Sequence, residues 1–271
     1  MPLMPLIHVT DFDSWRAAAR QLLCDSVPPE DVAWRGPQDR SGQLPLEAPY
    51  EPEARQQAKR PKTGVPREFV RLAEAAACHR SPARWALLYR VLWRLTHGER
   101  LLLEVTIDDD VRQLNLLAKQ VRCDVHRMHS FLRFQRVEDE AESAAEPHYV
   151  AWYEPDHLVL RRAAPFFVER FGTMPWAILT PDDSCYWDQE ELRFGPGAPK
   201  PRDLKGDPLE KLWKQYYAST FQAARVNPRL LDRELPRRFW RNLPEAELID
   251  EMVRRAPAES ARDKPRADED V

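Results

Sequence analysis

VHRMHSFLRFQR, residues 125–136, is the stretch on which the reading of this chain turns. Its first half carries His126 and His129 with the spacing H-x-x-H, and its second half interleaves Arg133 and Arg136 with Phe131, Leu132 and Phe134. On a helix, two histidines at i and i+3 share a face and offer two metal ligands. That pattern is looser than the i, i+4 pair of zinc hydrolases, and a site would need a third ligand from Asp156, His157, His148 or Glu154. On a strand, Leu132 and Phe134 share one side while Phe131, Arg133 and Gln135 share the other. An arginine placed on such a side needs a carboxylate or a phosphate. The two halves reconcile as a helix end that passes into a core strand, with arginines bordering a phosphate-binding surface.

Upstream the signals are mostly helical. LIHVT is a short strand, and Asp11 or Asp13 caps a helix through FDSWRAAARQLLC. DVAWR is a second short strand. Residues 36–65 are rich in proline and polar side chains and read as a disordered loop. Pro66 opens a helix through FVRLAEAAACH. In SPARWALLYRVLWRLTHGE, Ser81 is the expected N-cap, Pro82 the first helical residue and Gly98 the stop. Its Arg90, Arg94 and His97 gather with Arg80 on one basic face. A third helix runs from about Asp108 past Val125.

Downstream the texture becomes short, aromatic and β-rich. FLRFQRVE and HYVAWYEP form an antiparallel pair, a helix runs from Asp156 to Phe171, and WAILT, SCYWD and ELRFG supply three more strands. Asp207-Pro208-Leu209-Glu210 starts a further helix, with Asp207 as cap. PEAELIDEMVRRA is the last helix. The fold class is therefore α+β: a helical N-terminal half, about 1–128, followed by an antiparallel sheet of about five strands flanked by helices, about 129–256. The two parts are read as one domain, 1–256, with a disordered tail at 257–271.

Composition narrows the partners. Of 271 residues, 43% are hydrophobic and 31% charged, with a net charge of −3, so no global basic signature is present. Locally the balance differs. Between residues 111 and 136 stand Arg112, Lys119, Arg122, Arg127, Arg133 and Arg136 against one acid, Asp124. Cys24, Cys78, Cys123 and Cys185 form no C-x-x-C pair, which argues against a zinc ribbon, an iron–sulfur cluster or a disulfide scaffold and suits four buried thiols in a reducing compartment. No apolar run is long enough to cross a membrane, and the N-terminus lacks a basic-then-apolar leader. A soluble cytoplasmic protein with no membrane partner is the expectation.

Two more segments hold candidate chemistry. Asp156 is the expected N-cap of the helix that follows it, and His157 beside it suits acid–base work or an anion at a helix start, with Arg161, Arg162 and Arg170 adding charge. Near the C-terminus, Lys214, Tyr217 and Arg241 mix cations and aromatics in the manner of a nucleic-acid grip. Phosphate-loop, dinucleotide and nucleophile-elbow motifs are absent, as is the radical-SAM cysteine triplet. No local motif licenses an enzyme class or a cofactor.

HRMHSFLRFQR, YVAWYEPDHLVL, APFFVERFGTMPWAILTP, SCYWDQEELRFGPG, LWKQYYASTF and FWRNLPEA occur in this order. Together they resemble an uncharacterised bacterial family labelled as DNA-metabolism or DNA-repair proteins, across about 1–256 and most strongly over 126–256. That family occurs alone or fused to a uracil-DNA glycosylase-like domain, and it is associated with a radical-SAM protein assigned to DNA repair. The chain departs from the family pattern twice. Trp187-Asp188-Gln189 stands where Trp-Asp-Gly is expected, and Gln222-Ala223 where Asn-Pro is expected. The resemblance implies a DNA-repair setting without an established reaction.

The leading expectation is a DNA-binding accessory protein that works with a separate radical-SAM or uracil-DNA glycosylase-type enzyme. Arg133, Arg136, Arg170, Lys214, Tyr217 and Arg241 are its expected nucleic-acid contacts. One alternative is a nucleic-acid-processing enzyme using His126, His129, Asp156 and His157. The other is an interaction scaffold that never touches DNA.

Overall fold

The structure is a computed structural model that describes residues 5–37, 64–137, 148–201 and 237. Most of the expected 36–65 loop, the helices expected after Asp207 and the 257–271 tail lie outside the described residues. The chain gathers into two compact units. One comprises residues up to Asp124 together with Asp156–Val159; the other comprises Val125–Pro155 and the chain from Leu160 onward. Among the described residues no helix is long and apolar enough to cross a membrane.

In the first unit, β1 (Leu6–His8) pairs in parallel with β2 (Ala33–Arg35), and α1 (Phe12–Cys24) makes the crossover. Asp11 starts α1 through a capping box: its carboxylate accepts the Ser14 N–H at 2.8 Å, and the Ser14 hydroxyl accepts the Asp11 N–H at 3.0 Å. Three further helices follow, α2 (Arg67–Ala77), α3 (Arg84–Thr96) and α4 (Asp109–Phe131), with α4 counted in this unit up to Asp124. Their apolar stripes close one core around Trp15, Leu22, Phe69, Leu72, Trp85, Leu88, Leu95 and Leu114. Two of its aromatics are tied to backbone through their polar atoms: Trp15 Nε1 donates to the Trp85 carbonyl at 3.2 Å, and the Tyr89 hydroxyl to the Val27 carbonyl at 2.7 Å.

Helix α3 begins later than its sequence suggests. Ser81 is not its cap; Ala83 is, without a side-chain bond. The Ser81 carbonyl instead accepts the Arg84 N–H at 3.2 Å and Arg84 Nη1 at 2.8 Å, so Ser81 to Arg84 forms a turn ahead of the helix. Arg84 is buried, 1% exposed, and its Nε donates to the Ala77 carbonyl at 3.0 Å. A guanidinium there satisfies a carbonyl at the end of α2, where the helix dipole favours a cation. Gly98 ends α3 as expected, with φ +119°.

The second unit contains the end of α4, β3 (Gln135–Val137), β4 (His148–Trp152), α5 (Leu160–Phe171), β5 (Trp176–Leu179), β6 (Asp183–Trp187) and β7 (Leu192–Pro196). The five strands lie in the order β3-β4-β5-β6-β7. The α+β class holds, with one departure from an all-antiparallel sheet: β4 and β5 run parallel, because α5 carries the chain back across the sheet between them. The side of the sheet bearing Ala151, Trp176, Ile178 and Cys185 is buried, and Phe167 of α5 meets Trp176 with ring centres 6.3 Å apart. Phe134 joins them, 5.9 Å from Phe167 and 5.6 Å from Trp176.

The structure corrects three further local expectations. Residues 131–134 are not strand: Phe131 ends α4, and β3 starts only at Gln135. Asp156 does not cap α5, which starts four residues later at Leu160. Residues 156–158 form a bend fixed by other bonds, and Pro165 sits inside α5 without ending it. The cysteines are also not uniformly buried: Cys185 is, Cys24 and Cys78 are half-buried, and Cys123 is exposed.

Gln189 lies in the β6–β7 turn at φ +79°, in the region that favours glycine, at the position where the family resemblance implies glycine. Asp188 braces that turn by accepting the Glu190 and Glu191 N–H groups at 3.0 and 2.7 Å. Replacing Gln189 by Gly is expected to stabilise the protein by about 1 kcal/mol, read as a higher midpoint in urea unfolding. Thiol labelling gives a second check. Burial pushes the Cys185 thiol up to about 12, so Cys123 is expected to react first with a disulfide reagent and Cys185 only on unfolding.

Candidate functional site

The basic face expected on α3 is neutralised. Arg94 reaches Asp108 and Glu99 at 2.7 Å each and Asp110 at 3.1 Å, and Arg90 reaches Asp110 at 2.7 Å. Hydrogen bonds from Arg94 hold the Asp108 and Glu99 carboxyls below their ordinary values, while these acids push the guanidinium higher still. Arg80 is turned inward, its Nε donating to the Asp156 carbonyl at 2.8 Å. Little of this charge is left for a ligand.

Helix α4 behaves differently. Over its part in the first unit, Val111, Leu114, Leu117, Ala118, Val121 and Asp124 are buried, and Arg112, Asn115, Leu116, Lys119, Arg122 and Cys123 are exposed. This is the division an amphipathic helix makes between core and solvent. Asp108 caps the helix by accepting the Asp110 and Val111 N–H groups at 3.0 and 3.1 Å. Beyond the first turn the one acid, Asp124, is 0% exposed, and its Oδ2 accepts the His157 backbone N–H at 2.8 Å. The solvent face therefore keeps the cations and loses the acid. Arg112 has only a loose pair with Asp109, at 3.6 Å, and Lys119 and Arg122 form no ion pair among the described residues. From Arg112 to Arg122 the face runs about 15 Å along the axis.

The other candidate residues are dispersed. His126 is exposed. His129 donates from Nε2 to the Ala163 carbonyl at 3.2 Å and stacks on Phe166 with ring centres 4.2 Å apart. Burial depresses its pKa, with the neighbouring His126 acting in the same direction and the Ala163 carbonyl against it. Among the described residues no three His, Cys, Asp or Glu side chains are placed to hold a metal ion. Arg133 donates to the Ser130 and Leu132 carbonyls at 2.8 and 3.1 Å, closing the end of α4. Arg136 on β3 and Arg170 at the end of α5 are exposed. Lys214, Tyr217 and Arg241 lie outside the described residues. Asp156 and His157 fall in the first unit, His126 and His129 in the second.

Sequence reading overlooked His79. Its ring lies 4.1 Å from that of His157, centre to centre. The Ser81 N–H donates to its Nδ1 at 2.9 Å, so Nδ1 carries no proton and Nε2–H donates to Gln120 Oε1 at 3.0 Å. The phrase HRSP offered no motif or periodicity; the histidine acquires partners only where α2, α4 and residues 156–159 meet. A separate cleft of about 340 Å³ lies between α3 and the start of α4, lined by Ser81, Ala86, Leu87, Arg90, Gln113 and Leu117 among others.

Asp124→Ala is expected to leave the half-buried His157 N–H without this acceptor and to cost about 1–3 kcal/mol, measured by urea unfolding. Lys119→Ala, on the solvent face, is expected to change stability by less than about 0.5 kcal/mol in the same assay.

No curated protein and no solved structure matches this chain. A family model described as a domain of unknown function, DUF4130, matches residues 82–245, which include α3, α4, α5 and the five-stranded sheet. The chain belongs to the DUF4130 family.

Proposed function

We propose that this protein binds nucleic acid through the solvent face of α4 and acts as an accessory factor in DNA repair or DNA metabolism. The observation that carries the reading is the segregation of charge on that helix: Arg112, Lys119 and Arg122 outward, Asp124 buried. A row of cations without intervening carboxylates releases counterions from a phosphate backbone when it binds. Exposed Arg162 and Arg170 on α5 add positive charge in the second unit. The chemistry on DNA would belong to a separate enzyme, of the radical-SAM or uracil-DNA glycosylase type that the family resemblance suggests. His129, one of the catalytic candidates, is committed to a backbone carbonyl, which favours binding over catalysis by this chain.

Titration of duplex, single-stranded and uracil-containing DNA at several salt concentrations tests the reading. Affinity is expected to fall steeply with salt. Lys119→Gln with Arg122→Gln should reduce the log–log slope by roughly 0.9 for each phosphate that these two cations neutralise. A double variant that binds with unchanged affinity and slope would remove α4 from the interface, and no binding at low salt would leave the scaffold reading.

A further inference from the structure

Hydrogen bonds hold the loop Asp156–Val159 against the end of α2, the residues that follow it, and α4. The His157 N–H donates to Asp124 Oδ2 at 2.8 Å, the Leu158 N–H to the Cys78 carbonyl at 2.9 Å, and Arg80 Nε to the Asp156 carbonyl at 2.8 Å. The ring of His79 adds a further contact, with its centre 4.1 Å from that of His157. The partners of His79 fix its protonation state. Both ring nitrogens are occupied in the neutral form, Nδ1 as acceptor from the Ser81 N–H and Nε2 as donor to Gln120.

A second proton has one place to go. It must bind Nδ1, where it would face the Ser81 N–H donor head-on and break a 2.9 Å hydrogen bond. The resulting imidazolium would lie against the His157 ring and near the Arg84 guanidinium. Gln120 from α4, Ser81 from the link between α2 and α3, Arg84 from α3 and His157 from the loop act on the His79 ring, and Asp124 from α4 and Arg80 from the link hold the loop at His157 and Asp156. Asp124 Oδ2 already accepts from the loop, and the charge on Arg84 opposes a second proton on His79.

We infer that residues 156–159 are held by an acid-sensitive clasp in which one proton on His79 Nδ1 breaks the Ser81 bond, unseats the stacked His157 and releases the loop. The direction of the effect agrees. Burial first, and the Arg84 charge also, hold His79 below its ordinary value of 6.5, with the Gln120 bond opposing them. The open form then takes the proton more readily than the closed one. The clasp is fully stable above about pH 6.5 and weakens as the pH falls toward the lowered value.

Amide exchange on the full chain, followed by NMR between about pH 7.5 and pH 5, tests this. After correction for intrinsic exchange, protection at Ser81, His157 and Leu158 is expected to fall by up to about tenfold per pH unit, as one-proton linkage requires. Amides in the middle of α1 should hold theirs, and in His79→Gln the loss should disappear. Should that variant not fold, nitrogen shifts of His79 in the native chain serve instead. Nδ1 must be unprotonated at neutral pH, and the loss of protection must track its titration. Protonated Nδ1 at neutral pH, constant protection through the titration, or the same loss in folded His79→Gln would overturn the clasp.

Discussion

A carboxylate with no access to water must be given hydrogen-bond donors, and the first unit is arranged around that requirement at Asp124. One donor is the backbone N–H of His157. Because a backbone donor fixes the path of its own chain, the bond sets residues 156–159 in place. Leu158 then meets the Cys78 carbonyl, and the Asp156 carbonyl meets Arg80. The same burial removes the only acid from the outer side of α4 beyond its first turn. One residue thus links the seating of a loop to the charge of a surface.

Two helices of similar basic content end in opposite states. Arg90 and Arg94 of α3 face Glu99, Asp108 and Asp110, which follow within a short stretch of chain, and the pairs close. Lys119 and Arg122 of α4 have no such acids within reach among the described residues. Exposed ion pairs contribute little to stability, so the consequence of this difference lies mainly in which cations remain available to a phosphate.

In the second unit, aromatic packing takes the place of a polar anchor. Phe134, Phe167, Phe171 and Trp176 meet edge to face or tilted, with centres 5.4–6.3 Å apart. These rings join the segment between α4 and β3 to α5 and the sheet. Trp187 Nε1 donates to the Gly172 carbonyl at 3.1 Å, tying the turn after α5 to β6. The connection through α5 sets the parallel β4–β5 pair, and Pro165 is tolerated in the middle of the helix.

Much of this architecture was legible in the residues themselves. The cap at Asp11, one of the two aspartates expected there, the Gly98 stop and the strands between Trp176 and Pro196 follow from local rules of capping, backbone freedom and strand propensity. The left-handed Gln189 was foreshadowed where a glycine was expected. Other features depended on neighbours distant in sequence. Arg84 sits where it can bind the Ala77 carbonyl, Asp156 gives up a cap to hold Arg80, and His79 meets His157 from a remote part of the chain. The sequence by itself determined most of the helices and strands among the described residues, since capping, backbone freedom and side-chain periodicity act within a few residues. Tertiary structure decided which charges stay free and which histidine is locked in one tautomer, because burial and partnering are set by chain segments that meet only in the folded protein.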